Sequence, residues 1–104
     1  MKVSKAFEAF AKDAPQFYGA WMDAVEKLGK ASKLDAKTQH LSYIAVLAAV
    51  GLENGLPFHT KLAKSQGVSR EEIISAILVG LPAVGNKVTS ALPIAIEAYD
   101  ENAD

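Results

Sequence analysis

His40 and His59 are the only two histidines in a 104-residue chain that contains no cysteine, so proton transfer near neutral pH falls to them. His59 closes the run Gly55-Leu56-Pro57-Phe58-His59. Proline fits the first turn of a helix, so this run predicts His59 about one turn into a helix, where free backbone N–H groups and the positive end of the dipole favour an anion such as a carboxylate. Glu53 and Asn54 stand across the same tight turn, where a carboxylate can orient the imidazole or share a proton with it. The bland alternatives are a histidine hydrogen-bonded within the helical hairpin or at the surface, and a solvated helix end at Glu53. His40 and His59 form neither a His-x-x-x-His nor a Glu-x-x-His pair, so no metal site is expected. On a straight helix His40 lies roughly 20 Å along the axis from the turn, and contact with His59 calls for a bend or a neighbouring subunit. Tyr43, Phe58, Tyr18 and Trp21 are either the walls of a small pocket or plain core. The serines lack a nucleophile-elbow context, and no Gly-rich phosphate loop is present.

Without cysteine there are no disulfides, no thiolate metal sites and no thiol redox cycle. Eleven basic and twelve acidic residues give a formal charge of −1, which offers no field to attract a polyanion, so nucleic acid is not an expected partner. The longest apolar run, Ile44 to Leu52, is far below the roughly 20 residues a bilayer requires, and the N-terminus reads as a charged amphipathic pattern instead of a signal peptide. A cytoplasmic protein with no membrane partner is the expectation. Half of the residues are hydrophobic and 22 % are charged, which is apolar for so small a domain and points to a homo-oligomer.

No strand-like alternation appears, and the expected fold is all-α, one domain of about six helices over residues 1–104. Val3, Phe7, Phe10, Ala14, Phe17, Trp21, Ala24 and Leu28 form one apolar stripe, interrupted at Pro15, which predicts helices over about 4–12 and 14–30. Asp35 is the predicted N-cap of a third helix that has no wet face and must be central. Gly55 fits the left-handed position after it, and a fourth helix follows from about Pro57 to Gln66. Ser69 and Glu72 have capping-box spacing before the apolar run Ile73 to Leu81. A sixth helix is predicted from about Pro82 to Asp100, bent or weakened at Pro93, and residues 101–104 are expected to fray.

The stretch Leu34 to Glu72 resembles the core of the carboxymuconolactone decarboxylase and alkylhydroperoxidase D-like superfamily. Leu34-Asp35-Ala36-Lys37-Thr38 matches the LDxKT that opens one helix, and His59 matches the histidine just inside the next. Thiol-bearing members carry Glu, Cys twelve residues on, Cys three further and His four further; here those places hold His40, Leu52, Gly55 and His59. The chain is therefore similar to the thiol-free branch of the superfamily. The resemblance covers about residues 34–99 and implies an orthogonal helical fold that assembles as trimers or hexamers. It also implies a pocket lined by His59, with Leu52, Gly55, Phe58 and Tyr43 as substrate-binding candidates and His59, Glu53 and His40 as catalytic candidates. No cofactor is implied, since the carboxymuconolactone enzymes are cofactor-free. The expected function is a decarboxylase or lactone-processing enzyme in which His59 is the acid or base toward a small carboxylated molecule. The alternative is a non-catalytic ligand-binding or assembly subunit that has lost the Glu and both Cys. Thiol peroxidase activity is chemically closed to it, because that reaction needs a thiolate that becomes a disulfide.

Overall fold

The computed structural model describes residues 2–101, and within them every regular element is helical. The chain divides into two compact units, Val3–Leu34 and the segment that begins at Asp35. In the first, α1 (Lys5–Asp13) starts at Ser4, whose hydroxyl accepts from the Phe7 N–H at 3.1 Å. Ala14 at φ −134° and ψ 57° leaves the helical region, and Pro15 then opens α2 (Pro15–Ala31) from the position proline tolerates best. The two helices meet edge-on through Phe7, Phe10 and Tyr18, with ring centroids 5.5–6.3 Å apart. The apolar stripe is split at Pro15, as its interruption there predicts. Phe7 and Phe10 pack on Tyr18, whereas Phe17, Trp21 and Leu28 are 74 %, 55 % and 67 % exposed.

The second unit is built around α3 (Ala36–Val50), which packs against four of its neighbours. Asp35 accepts from the Thr38 N–H at 2.8 Å and caps it, as expected. Its end differs from the expectation: Gly51, not Gly55, takes the left-handed conformation at φ 78°, and the N–H groups of Gly51 and Leu52 both reach the Leu47 carbonyl. Gly55 has φ −84° and closes a short 3₁₀ turn, Glu53–Gly55. The chain thus reverses early, and α4 (Leu56–Ser65) runs back along α3. Gly67 at φ 89° ends this hairpin, and the Ser69–Glu72 capping box forms with both bonds in place to start α5 (Arg70–Leu78).

The long sixth helix does not exist as one piece. A single turn, α6 (Leu81–Val84), stops at Gly85, whose φ of 74° breaks the helix; 3₁₀ turns over Gly85–Ser90 lead into α7 (Ala91–Asp100). Pro93 lies in the first turn of α7, where its missing N–H removes no helical bond, so it neither bends nor weakens the helix. The helical run Arg70–Asp100 contains a window apolar enough to cross a membrane, but this break divides it. The fraying expected of residues 101–104 falls mainly outside the described residues.

The core unites Ile44, Leu47 and Ala48 of α3 with Leu56, Ala63, Val68, Ile73, Ile77 and Val88. α7 contributes Ala91, Ala95 and Ala98, whose small side chains let it lie close against α4. Its C-terminal end is tied down by Tyr99, whose hydroxyl donates to the Val68 carbonyl at 2.8 Å, by Lys64 on the Tyr99 carbonyl and by a bidentate Arg70–Asp100 pair. The expectation that α3 has no outward face needs correcting, since Tyr43, Val46 and Val50 are about half exposed.

Candidate functional site

Reversal at Gly51 and the short 3₁₀ turn set α4 antiparallel to α3, so His59 faces Tyr43 with ring centroids 4.6 Å apart. Phe58 meets the same imidazole edge-on at 5.1 Å. A Cβ on Gly55 would stand 3.4 Å from Leu47 and 3.8 Å from the His59 Cδ2, so the missing side chain keeps one flank of the imidazole open. Tyr43 and Leu47 thus mark the stripe of α3 that faces the start of α4. His40 lies on that stripe, three residues before Tyr43, or about 4.5 Å along the axis.

The separation expected from a straight helix was therefore measured to the wrong place. The turn is remote from His40, but His59 has come back along α3, and the two imidazoles feel each other's charge within one subunit. Burial, and then the neighbouring His40, hold the His59 pKa below its ordinary value. His59 is consequently neutral at pH 7. Among the described residues it has no hydrogen-bond partner, yet its nitrogens are not among the buried unpartnered atoms, so they meet open space. The Thr60 hydroxyl, by contrast, is fully buried and unpartnered.

Other expected members fall elsewhere. The Glu53 carboxylate accepts from the Ser90 hydroxyl, so it fastens the 3₁₀ turn to the segment before α7 and does not orient His59. No local pattern announces this bond, since the partners are 37 residues apart. Leu52 is 62 % exposed. A groove of about 410 Å³ lies between α3 and α5, lined by residues that include Leu41, Ser42, Ala45 and Val79. His59, Tyr43 and Phe58 are not in that lining. Among the described residues no cluster of three or more His, Asp or Glu side chains could hold a metal.

The lowered His59 pKa has a consequence for stability. Below the unfolded-state value near 6.5, the unfolded chain binds a proton that the folded chain resists, so stability falls as pH drops below that value and is insensitive to this group above it. The lowered carboxylates of Asp35, Glu72 and Asp100 act only in more acidic solution. Urea midpoints are therefore expected to fall between about pH 7.5 and about pH 5.5, the window of histidine titration. In His59→Gln that slope should shrink; an unchanged slope would contradict the burial assigned here.

The fold agrees with the comparisons. A model of the carboxymuconolactone decarboxylase family matches residues 15–97, further toward the N-terminus than the residues 34–99 that carried the resemblance. The uncharacterized protein MJ1511 of Methanocaldococcus jannaschii is 30 % identical over 97 residues, covering 88 % of this chain and 91 % of that protein. The crystal structure of apo-lpg0406, a carboxymuconolactone decarboxylase family protein from Legionella pneumophila, superposes with a TM-score of 0.78 at 21 % identity, covering 95 % of this chain and 88 % of that one. Fold, the LDxKT helix start and the matched span all lead to one assignment: this chain belongs to the carboxymuconolactone decarboxylase family.

Proposed function

We propose that this protein acts on a small carboxylated or lactone-type molecule, with His59 as general acid and base. The observation that carries this reading is the His59 imidazole itself, half-buried between Tyr43 and Phe58, neutral at pH 7 and with no hydrogen-bond partner among the described residues. A neutral imidazole accepts a proton from a water that attacks a lactone carbonyl. In a decarboxylation the neutral imidazole takes the carboxyl proton, the C–C bond breaks, CO₂ leaves, the electron pair remains as an enolate, and the imidazolium returns that proton to carbon. The family supports this class of substrate, and no cofactor or metal is called for. The test is a turnover screen of small β-keto acids and lactones, followed by CO₂ release or ring opening. Turnover above the uncatalysed rate is expected, and its absence across both classes would favour the second reading.

That second reading is a ligand-binding or assembly subunit without catalysis. It is favoured by the Glu53–Ser90 bond, which leaves His59 without an orienting carboxylate, and by Leu52 and Gly55 standing where thiol-bearing members have cysteines. Both readings include self-association, as trimers or hexamers, in the cytoplasm. Phe17, Trp21, Leu28, Val46, Val50 and Val79 are exposed, more large apolar surface than a small monomer ordinarily leaves in water. Sedimentation is expected to show an oligomer at micromolar concentration, and a stable monomer would count against the proposal.

A further inference from the structure

We infer that the apolar stripe of α2 in one copy of the chain packs into the groove between α3 and α5 of a second copy. The inference rests on the self-association proposed above, and it names the two surfaces that meet.

Phe17, Trp21, Val25 and Leu28 follow one another at helical steps of four and three, so they share one side of α2. All four are exposed in the single chain, while Tyr18 meets α1 through Phe7 and Phe10. The groove is open as well. Its volume is about 410 Å³, and its walls include small side chains, Ser42 and Ala45 of α3 with Ser75 and Ala76 of α5. Helices pack when large side chains of one seat in the hollows left by small side chains of another. Here α2 offers the large side chains, Phe17 and Trp21 foremost, and the wall of small residues offers the hollow.

Area and charge favour a second copy as the occupant. With about 150–250 Å² in a whole aromatic side chain, the exposed parts of these four residues present roughly 500 Å² of apolar surface. Covering them hides a similar area of the groove and of the exposed Val46 and Val79, about 1,000 Å² per junction, which is what a specific interface needs. Each copy has one stripe and one groove, so two copies exchange reciprocally or several close a ring, and every stripe and groove is covered either way. Residues 1–34 hold six basic and four acidic side chains, and residues 35–104 hold five and eight, so the two surfaces belong to oppositely charged parts of the chain. The charges are also placed alike. Residues 15–22 of α2 and 73–78 of α5 carry none, whereas Lys27 and Lys30 lie toward the end of α2 and Glu71 and Glu72 lie at the start of α5. α2 therefore lies with Phe17 toward Val79 and its lysines toward Glu71. The exposed pairs of Lys27 with Asp23 and of Lys30 with Glu26 are weak enough to exchange partners.

The chain has no cysteine, so single-cysteine variants report contacts between copies without background. Val25→Cys and Ser75→Cys, both at exposed positions, are mixed and oxidised at micromolar concentration, and Phe17→Cys with Val79→Cys is the second pair. Disulfides joining one variant to the other are expected in at least one pair, in excess of those joining identical variants. Their absence from both pairs would overturn the inference. So would a bond that closes only within a single chain carrying both substitutions, which would seat α2 on its own copy. Trp21 is the only tryptophan, and its emission reads the same event without any cysteine. It is expected to move to shorter wavelength as the wild type is concentrated from nanomolar to micromolar, and to stay at the water-exposed position in Ser75→Arg. Val84→Arg, at an exposed apolar position outside the groove, should move as the wild type does. A Ser75→Arg emission that also moves would contradict the groove. Sedimentation separates the two readings: an oligomer without the mixed disulfide removes this pairing and leaves self-association, whereas a monomer removes both.

Discussion

Truncating Leu56 to alanine is expected to destabilise the α3–α7 unit by about 2–5 kcal/mol. Leu56 is fully buried, opens α4 and belongs to the core with Ile44 and Leu47 of α3, so its removal leaves a cavity where the hairpin carrying His59 is joined. Alanine is the best helix former, so the loss is one of packing and not of helix propensity. Lys27→Ala is the control. It removes an exposed i,i+4 pair with Asp23 at 3.0 Å, which contributes about 0.3–0.5 kcal/mol at most. Urea unfolding of the three proteins gives the comparison, and a Leu56→Ala midpoint as close to wild type as that of Lys27→Ala would contradict the assigned core.

The second large effect concerns chemistry. On any substrate found by the turnover screen, His59→Gln is expected to lower kcat/KM by about 10²–10⁴-fold, the usual contribution of a positioned acid–base group. Glutamine approximates the shape of the imidazole and titrates nowhere in the working range. Because the His59 pKa lies below its ordinary value, kcat/KM of a base-catalysed step should stay level from neutral pH down through about 6.5 and decline only below it. A loss of less than about tenfold in His59→Gln would assign the acid–base step to another group.

How legible all of this was depends on how local each determinant is. Asp35, Ser69 and Pro57 mark helix starts through bonds or constraints reaching only three or four residues, and each behaves as its spacing indicates. The choice between Gly51 and Gly55 for the left-handed position was misread because both glycines suit it. It is decided by which reversal lets Leu56 and Leu47 enter one core, a tertiary matter. Gly85 reads as helix punctuation, but the break itself was misplaced for a similar reason: Pro82 and Pro93 drew it toward themselves, yet both sit in first turns where proline is tolerated.

The site was legible in part. The Gly-Leu-Pro turn pointed to His59, and Tyr43 and Phe58 do lie against it. Glu53 was assigned to His59 from nearness in sequence alone, and its partner Ser90 could not be read from any local pattern. His40 was placed too far away because its distance was counted to the turn, whereas an antiparallel helix brings His59 back along α3. The charge of His40 on His59 is the result of that return.

The central claim is that His59 touches a small carboxylated ligand, and ligand-induced stabilisation in wild type and His59→Gln tests it most directly. Small keto acids, lactones and dicarboxylates are screened by thermal melting of both proteins, since a ligand that binds only the native state raises the melting temperature. The account predicts at least one carboxylated compound that raises the wild-type melting temperature by several degrees and leaves His59→Gln, itself folded, with little or no rise. A compound that stabilises both proteins equally would remove His59 from the site and leave it an unbonded histidine packed against Tyr43.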